Sequence, residues 1–388
     1  MIDYDNSVIS SGRDFVNKVI APIAHEMDEK EEFPLDAFRE MGTFGLFGAP
    51  YPELYGGMGL DYMSYTGLIR EVAKVCASTA MTALSHATLT CNPIFTGGGE
   101  HLKDRLLKPL IRGEKIGAFA MTEAESGSDI SSIRTHAKAS GDDYILNGSK
   151  MYITNANVAD IVVVVASTSP QAGLLGLSLF VVEKGMPGFS TTGRRERKLG
   201  MRASDTGELA FNNVRVPKEN LIGGKNRGLK ILQQTLTAAR LGMAAIAIGI
   251  SEGARDLSVD YAVQRKQQGK PLHRFQLIRS MLADMEMKIS AADLLLKKSA
   301  WLKDQGQNFM KEAAEAKLFA SEMAVAITKD AIQIHGAYGY CRDLPIERFF
   351  RDAKLTEIGD GTSEIQRLII ADEMIKTRSH SRNSAFAL

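Results

Sequence analysis

The sequence predicts an α+β protein in three consecutive parts: an N-terminal helical domain (residues 1–117), a middle antiparallel β domain (118–227) and a C-terminal four-helix bundle (228–388). Three observations predict this order. Apolar residues recur at helical spacing in the first part, short β-rich runs follow closely in the second, and long amphipathic runs return in the third. With 388 residues, 44% of them hydrophobic, the chain is long enough for separate cores in these parts.

The first part contains two runs of helical type, "SGRDFVNKVIAPIAHEMDE" and "ASTAMTALSHATLT". The second is built from small residues, which allow close helix packing. Between them, "GLFGAPYPELYGGMGLDYMSY" is dense in Gly, Pro and Tyr, which predicts a loop region near a ligand or an interface.

The β domain is predicted from four runs, "DYILNGSKMYIT", "DIVVVVAST", "LSLFVVEKG" and "GELAFNNVRVP". Val, Ile and aromatic residues dominate such runs in strands. The dipeptide Asn147-Gly148 is a strong turn signal, and it predicts a hairpin turn between two of the strands.

The C-terminal part contains long helical runs. "AARLGMAAIAIGISEGARDL" is almost entirely small and apolar, so we expect it to be buried on several faces. Gly336 predicts the C-terminal cap of another helix. A third run has one apolar stripe, typical of a bundle helix; its members are Phe275, Ile278, Leu282, Met285, Ile289, Ala292 and Leu296.

Composition excludes several classes of function. The formal net charge of +1 gives no strong field toward nucleic acid or membranes, and we expect neither as a partner. No apolar run approaches a membrane span, and the polar start "MIDYDNSVIS" resembles no targeting peptide. Cys76, Cys91 and Cys341 lack metal-ligand spacing, so we expect reduced thiols, no metal and a cytoplasmic protein.

Three segments have the chemistry of a cofactor site, and each has an ordinary alternative. "AMTEAESGSD" clusters hydroxyls, amides and glycine as a phosphate or ring ligand needs, but it also suits any Ser/Gly loop. In "KMYITNA", Tyr152 and Thr154 share a strand face and could hold a flat heterocycle; a half-buried strand is the alternative. In "RKQQGKPLHRFQ", Arg265 and Lys266 suit a pyrophosphate or a solvated turn.

A fourth segment, "EIGDGTSEIQRL", carries a carboxylate where a helix begins. Thr362 and Ser363 are N-cap types, and Ile365 and Leu368 then recur at helical spacing. Asp360 stands between two glycines, which let another molecule approach the backbone. It is either a loop residue in water or a catalytic base above a substrate.

Taken together, these segments resemble the acyl-CoA dehydrogenase family over nearly the whole chain. "AMTEAESGSDISS" fits the first signature of that family, and "QIHGAYGYCRDLPIERFFRD" fits the second, except that Ala337 stands where Gly or Ser is usual. Five more segments follow the order and spacing of the family: "PELYGGMGLDY", "NGSKMYITNA", "KLGMRASDTGEL", "FNNVRVP" and "RDAKLTEIGDGTSEIQRLI".

The resemblance implies FAD bound between the β domain and the bundle. Met121 and Thr122 would touch the flavin ring, Thr154 would bond near its reactive nitrogen, and Tyr152 would lie alongside it. Thr362 and Glu364 match positions beside the diphosphate. Four further positions match residues that reach the FAD of a neighbouring subunit, which implies a homotetramer built as a dimer of dimers: Arg265, Gln276, Gln333 and Gly336.

The resemblance also implies an acyl-CoA substrate that passes Ser128, which also borders the cofactor, and Arg240, with an electron-transfer flavoprotein as electron acceptor. The chain departs from the family at Thr237, often Asp, which leaves one CoA contact in doubt. It departs again at Gln268, normally Phe, and at "AES" (124–126), where "PGA" is common.

Asp360 aligns with the base of the family, which is usually Glu. Aspartate is one methylene shorter, so its carboxylate lies about 1.5 Å further back. Together with Gly359 and Gly361 it leaves volume beside the substrate α-carbon, which predicts an α-branched or cyclic acyl group such as cyclohexane-1-carbonyl-CoA. The alternative is a straight short-chain substrate.

Two other base positions used by relatives are unavailable. The residue before Arg240 is Ala239, and no Asp or Glu lies between Ala77 and Gly99. Two other functions stay open. One is a flavoprotein oxidase that acts without CoA, like nitroalkane oxidase, and the other is a non-catalytic member that binds FAD or acyl-CoA.

Overall fold

The computed structural model describes residues 3–385, with side chains as far as residue 378, and it confirms the α+β class. The predicted domain ends at residues 1 and 388 lie outside this range. Short helices come first: α1 (Asn6–Phe15), α2 (Ala24–Lys30), α3 (Leu35–Phe44), α4 (Tyr62–Ala73), α5 (Ala77–Leu84), α6 (Cys91–Gly97), α7 (Glu100–Leu102) and α8 (Lys108–Ile111).

A buried histidine connects these helices to the sheet. His86 follows α5 in a wider π-helical turn, Ser85–Thr90. Its Nδ1 accepts the Gly117 N–H at 2.9 Å, so its Nε2 donates to the Leu110 carbonyl at 2.9 Å. Burial lowers the pKa of His86 to about 4, which keeps the ring neutral in this role.

The central sheet contains β1 (Gly117–Ala120), β2 (His136–Ser140), β3 (Asp143–Thr154), β4 (Ile161–Ser167), β5 (Leu177–Glu183), β6 (Phe189–Thr191), β7 (Thr206–Val216) and β8 (Leu221–Ile222). Its order is β6-β7-β3-β2-β4-β5-β8. The main pairs are antiparallel, while β1 pairs with β4 in parallel. β4 is buried along its whole length, as its unbroken apolar run predicts.

The predicted hairpin turn at Asn147-Gly148 is wrong. Both residues lie inside β3, and the tight turn is at Gly141, between β2 and β3. Asn147 instead faces an irregularity in β7, where its side chain exchanges hydrogen bonds with Asn213 at 2.9 and 3.2 Å. Gly148 serves close packing, since a Cβ there would lie 2.5 Å from Thr135 Oγ1.

The C-terminal part contains α9 (Gly228–Gln264), the short strands β9 (Lys266–Gln267) and β10 (Lys270–Pro271), α10 (Gln276–Asp304), α11 (Met310–His335), α12 (Ala337–Tyr340), α13 (Ile346–Thr356) and α14 (Ser363–Ala385). The long helices are α9, α10, α11 and α14. The predicted stripe on α10 is confirmed at its centre, where Met285, Ile289, Ala292 and Leu296 are buried.

Helix α9 is the buried axis of the bundle. Residues 237–254 are buried without exception, as their small apolar composition predicts. The sequence predicts no membrane span, although one 18-residue window of α9 reaches a mean hydropathy of 1.2. Since 83% of that window is buried inside the protein, α9 is a core helix.

Helix α13 holds the three parts together. Arg351 binds the carboxylate of Asp28 at 2.6 Å and also reaches the Leu199 carbonyl at 3.3 Å. Its neighbour Asp352 accepts the N–H of Met201, which has a left-handed φ of 47°. The loop after α13 is therefore fixed relative to both the N-terminal helices and the sheet.

The packing at Gly148 predicts a difference between this glycine of β3 and Gly141 in the turn before it. Both have positive φ, 63° at Gly141 and 143° at Gly148, but a Cβ on Gly141 would meet nothing within 4 Å. We expect Gly141→Ala to cost about 1–2 kcal/mol of unfolding free energy, from conformation alone. Gly148→Ala should cost more, because the new methyl group also overlaps Thr135. Urea unfolding of both variants tests this, and equal losses would contradict it.

Candidate active site

The loop that carries Asp360 has an unusual backbone. Asp360 and Gly361 have φ values of 53° and 93°, so two consecutive residues are left-handed. A non-glycine residue in this region costs of the order of 1–3 kcal/mol unless its surroundings hold it. Helix α14 begins directly afterwards, where Thr362 Oγ1 accepts the Ile365 N–H at 3.4 Å, which confirms the predicted N-cap.

Buried side chains hold this loop through its carbonyl groups. Lys317 of α11 donates from Nζ to the Gly361 carbonyl at 2.7 Å. Gln366 of α14 donates from Nε2 to the same carbonyl at 2.9 Å and to that of Asp360 at 3.3 Å. Both side chains are inaccessible to solvent. The left-handed conformation is thus fixed from two helices.

The carboxylate of Asp360 is enclosed and has no hydrogen-bond or ion-pair partner among the described residues. The residue as a whole is half-buried, but its Oδ2 is inaccessible and has no hydrogen-bond partner. Burial raises the pKa of Asp360 above its usual 3.8, and the nearby charges of Lys317 and Arg240 partly oppose this. A loop residue in open water would show none of these features.

Arg240 is buried on α9 and faces the same space. Its Nη1 lies 3.4 Å from Thr237 Oγ1, and its Nε is buried without a partner. Burial lowers the pKa of Arg240 to about 10, against the attraction of Asp360. Thr237 therefore contacts the arginine, a role that the sequence does not reveal.

A second group of predicted residues lies together on the sheet. The Met151 N–H donates to the Thr122 carbonyl at 3.0 Å, which places Met121 and Thr122 beside β3. At this point β3 has one extra residue against β7, and Tyr152 takes a left-handed φ of 57° with 60% of its surface exposed. Thr154, two residues further along β3, is half-exposed. The bulge turns an aromatic ring outward beside a hydroxyl, as a flat heterocycle requires.

A buried ion pair supports this face, and the sequence analysis missed it. Lys150 has no exposed side-chain surface, and its Nζ donates to Glu123 and to the Met121 carbonyl, both at 2.8 Å. Glu123 also accepts the N–H groups of Arg134 and Thr135. Burial lowers the pKa of Lys150 to about 8, although Glu123 opposes this. The sequence pattern that could have predicted this pair is a lysine at an inward-facing position of β3, where the alternation of the strand calls for an apolar residue.

Two predicted residues lie at exposed edges of these groups. Ser128 is exposed in a loop that the Ser126 and Ser132 hydroxyls pin to the carbonyls of Asp129 and Glu125. Glu364 is exposed in the first turn of α14, where backbone and Thr362 hydrogen bonds lower its pKa.

The remaining predicted residues form a separate group at the far end of the bundle. Arg265 follows α9 and lies over the Tyr338 ring at 5.5 Å, close after Gly336, while Gln276 begins α10. Arg265, Gln276, Gln333 and Gly336 are all exposed. Arg265 lies about 37 Å along α9 from Arg240 at 1.5 Å per residue. The structure therefore does not bring this group to Asp360 within one chain.

Comparison with known protein families covers nearly all of the chain. The N-terminal, middle and C-terminal domain models of acyl-CoA dehydrogenase match residues 5–114, 118–214 and 226–375. The chain belongs to the acyl-CoA dehydrogenase family. It is therefore an oxidoreductase, and the predicted fold and family are confirmed.

Individual relatives are similar over their whole length. A short-chain specific acyl-CoA dehydrogenase of Clostridium acetobutylicum is 44% identical over 94% of this chain and 96% of its own. Among solved structures, butyryl-CoA dehydrogenase of Megasphaera elsdenii has a TM-score of 0.94 at 40% identity, covering 96% of this chain and 100% of that one.

Two further solved structures bear on cofactor and partner. A structure of the electron transferring flavoprotein of Acidaminococcus fermentans has a TM-score of 0.93 at 42% identity, covering 95% of this chain and 97% of the matched one. The FAD complex of PigA has a TM-score of 0.92 at 29% identity, covering 96% and 98%.

The Lys150–Glu123 pair predicts a large and specific loss of stability. Lys150→Met leaves a buried carboxylate without its cation, which costs about 3–5 kcal/mol. Adding Glu123→Gln removes the orphaned charge and should recover part of that loss. Lys138→Met, on the exposed side of β2, is the control and should change little. Denaturant unfolding of the wild type, the two single variants Lys150→Met and Glu123→Gln, their double variant and the control measures this, and a double variant as unstable as the sum of its singles would contradict the pairing.

Proposed function

We propose that this protein removes the α-proton of an acyl-CoA thioester with Asp360 and thereby converts the saturated acyl group to the α,β-unsaturated one. The observation that carries the proposal is the enclosed Asp360 carboxylate, whose Oδ2 is buried and unbonded in a strained, firmly held loop. A base needs such an oxygen, since an ion-paired carboxylate has less affinity for a proton.

FAD is the cofactor of this dehydrogenase. The exposed face of Tyr152 and Thr154, with Met121 and Thr122 beside it, fits the flat ring system, and Thr362 and Glu364 at the start of α14 border the diphosphate. Bound FAD supplies the acceptor for the β-hydrogen, which leaves with its electron pair. The chain itself supplies the base, the enclosing walls and the donors that orient the thioester.

The backbone around Asp360 has an unused donor for the thioester carbonyl. The N–H groups of Gly359 and Ser363 donate to Leu355 and Glu357 at 2.8 and 3.0 Å. The Asp360 N–H has no acceptor among residues 3–385 of this chain. A donor fixed in this way stabilises the negative charge that develops when the α-proton leaves, typically by about 2.7–4 kcal/mol. Arg240 and Ser128 are the proposed contacts to the CoA portion.

The acyl group of the proposed substrate is α-branched or cyclic, such as cyclohexane-1-carbonyl. The shorter Asp360 side chain leaves space where a substituent on the α-carbon would lie. Gly359 adds less space than the sequence predicts, because its missing Cβ points toward the buried Met243, whose Cε is 3.1 Å from that position. Straight short-chain thioesters are the second candidate, favoured by the short-chain and butyryl-CoA relatives.

The proposed electron acceptor is an electron-transfer flavoprotein, and the proposed assembly is a homotetramer. The acceptor is supported by the Acidaminococcus structure of the same fold. The assembly is supported by the exposed group at Arg265, which lies too far along α9 to serve the Asp360 site of its own chain. Large apolar side chains on the bundle are also exposed: Leu277, Leu294, Leu368 and Met374 are 56–79% accessible.

Free Cys76, Cys91 and Cys341 support a reducing compartment such as the cytoplasm.

A substrate panel tests the proposed chemistry. Anaerobic titration of the purified yellow protein with cyclohexane-1-carbonyl-, isobutyryl-, butyryl- and hexanoyl-CoA should bleach the flavin absorbance, most readily with the first two. A clear preference for butyryl- or hexanoyl-CoA would assign the straight-chain alternative. Oxygen consumption that matches turnover without an electron-transfer flavoprotein would instead favour an oxidase.

The role of Asp360 predicts both a variant and a pH dependence. Asp360→Asn keeps the size of the side chain but cannot accept the proton, so bleaching by every thioester should stop. In the unaltered protein only ionised Asp360 acts as a base, and burial raises its pKa. The rate of flavin reduction should therefore fall as pH is lowered through that raised pKa, which stopped-flow absorbance measures. Bleaching by the Asn variant would contradict the assignment, and so would a rate that does not fall when the pH is lowered.

A further inference from the structure

Lys317 is the feature of this site that the proposed chemistry does not yet use. It lies on α11, 43 residues before Asp360, and its side chain is completely buried. A buried lysine is costly unless it is paired or has a specific task. Its Nζ donates to the Gly361 carbonyl at 2.7 Å, and it forms no ion pair with a carboxylate among the described residues.

The charges around Lys317 come from the loop before α14 and from three of the helices packed around α11. Asp360 in the loop, Glu357 at the end of α13 and Glu364 on α14 attract its positive charge, while Arg240 on α9 opposes it. Glu357 is itself paired with Lys354 at 2.5 Å, and Glu364 is exposed to solvent. Asp360 is therefore the nearby anion that is both enclosed and without a salt bridge.

Lys317 attracts the negative charge of Asp360 without a direct hydrogen bond to its carboxylate. If Lys317 bound the Asp360 carboxylate directly, the proton affinity of that carboxylate would fall and its free oxygen would be occupied. The ammonium group instead donates its hydrogen bond to the Gly361 carbonyl, next to Asp360 in the chain. The positive field therefore reaches Asp360 while Oδ2 stays unbonded.

We infer that Lys317 is a positioning residue for the base: its ammonium group fixes the left-handed loop through Gly361 and keeps Asp360 ionised without forming a salt bridge to it. The inference rests on the proposed function, because it requires Asp360 to be the base. Gln366 also fixes the loop, because it donates to the same carbonyl. It carries no charge, so it does not affect the ionisation of Asp360 in the way that Lys317 does.

The two contributions can be separated with two variants. Lys317→Met keeps most of the length and bulk of the side chain but removes both the charge and the donor. Gln366→Leu removes two hydrogen bonds to the loop and leaves the charge in place. Lys329→Met, on the same helix but exposed, is the control and should leave the enzyme unchanged.

The decisive readout is the pH dependence of flavin reduction at saturating thioester. Without the Lys317 charge, ionisation of Asp360 becomes harder, so the acidic limb of the profile should move to higher pH. A limb displaced by one pH unit makes reduction about tenfold slower at any pH well below it. The part of the difference that the charge causes should vanish above about pH 8, where burial already removes the proton from wild-type Lys317, whose pKa is lowered to about 8. The part that the lost hydrogen bond to Gly361 causes should remain at all pH values. Gln366→Leu should lower the rate at all pH values without moving the limb.

A second readout reports the loop without any turnover. Hydrogen exchange of the Ser363 and Gln366 amides, which donate to Glu357 and Thr362 at the start of α14, should be faster in both variants. Faster exchange with an unmoved limb in Lys317→Met would reduce its role to structural support and overturn the inference. Unchanged exchange would overturn the positioning role as well.

The outcomes distinguish this inference from the function on which it rests. If Asp360→Asn still bleaches with the thioesters, the proposed function fails. If Asp360→Asn is inactive and the limb of Lys317→Met coincides with that of the wild type, only the inference fails. Should Lys317→Met not fold, Lys317→Gln keeps a donor without the charge, and its limb should move to higher pH. A limb at the wild-type position in that variant would overturn the inference.

Discussion

The left-handed turn at Asp360 and Gly361 is the constraint on which the site depends. A chain that passes from α13 to α14 with ordinary helical or extended angles would direct Asp360 elsewhere. Two φ values above 50° turn the carbonyl groups of both residues toward the bundle. Lys317 and Gln366 donate hydrogen bonds to these carbonyl groups. The side chain and the N–H of Asp360 are then left free of the backbone network.

The rest of the molecule fixes this turn relative to the sheet. Arg351 and Asp352, four to five residues before α13 ends, bind the N-terminal helices and the Met201 loop. On the sheet side, Lys150 and Glu123 hold Met121 and Thr122 beside the bulge at Tyr152. Two buried lysines, one from α11 and one from β3, thus each fix a backbone carbonyl in one of the two segments that border the proposed cofactor. Both have a pKa lowered to about 8 by burial.

Local patterns made much of the fold predictable. The apolar stripe on α10, the Thr362 cap and the Gly336 cap each depend on residues close together in the sequence, and the structure confirms them. The Asn147-Gly148 signal failed for a different reason. Its turn preference is real, but contacts of Gly148 with Thr135 and of Asn147 with Asn213, 13 and 66 residues away, hold the pair inside a strand. Tertiary contacts overrode a local preference.

The parts of the site that sequence reasoning missed are long-range contacts of charged residues. Lys317 reads as a solvated helix residue, although it shares the face of Ala313, Ala320 and Ala324, which are buried. The helical spacing could have indicated that Lys317 is buried. Its hydrogen-bond acceptor is a backbone carbonyl, that of Gly361, and no side-chain pattern in the sequence predicts it. The same holds for Asp352, whose partner is the Met201 N–H. Asp360 itself was found because its neighbours resemble a family, not because its burial could be read from them.

The most direct test of the account is whether Asp360 exchanges the α-proton of a bound thioester. 3,3-Dimethylbutyryl-CoA has α-hydrogens but no β-hydrogen, so proton abstraction can be observed without oxidation. Binding is first verified by the shift that it causes in the flavin spectrum. In D₂O the wild-type protein should then introduce deuterium at the α-carbon, detected by NMR, while Asp360→Asn should bind the thioester and introduce none. Equal exchange by both proteins, or binding without exchange in the wild type, would contradict the role of Asp360 as the base.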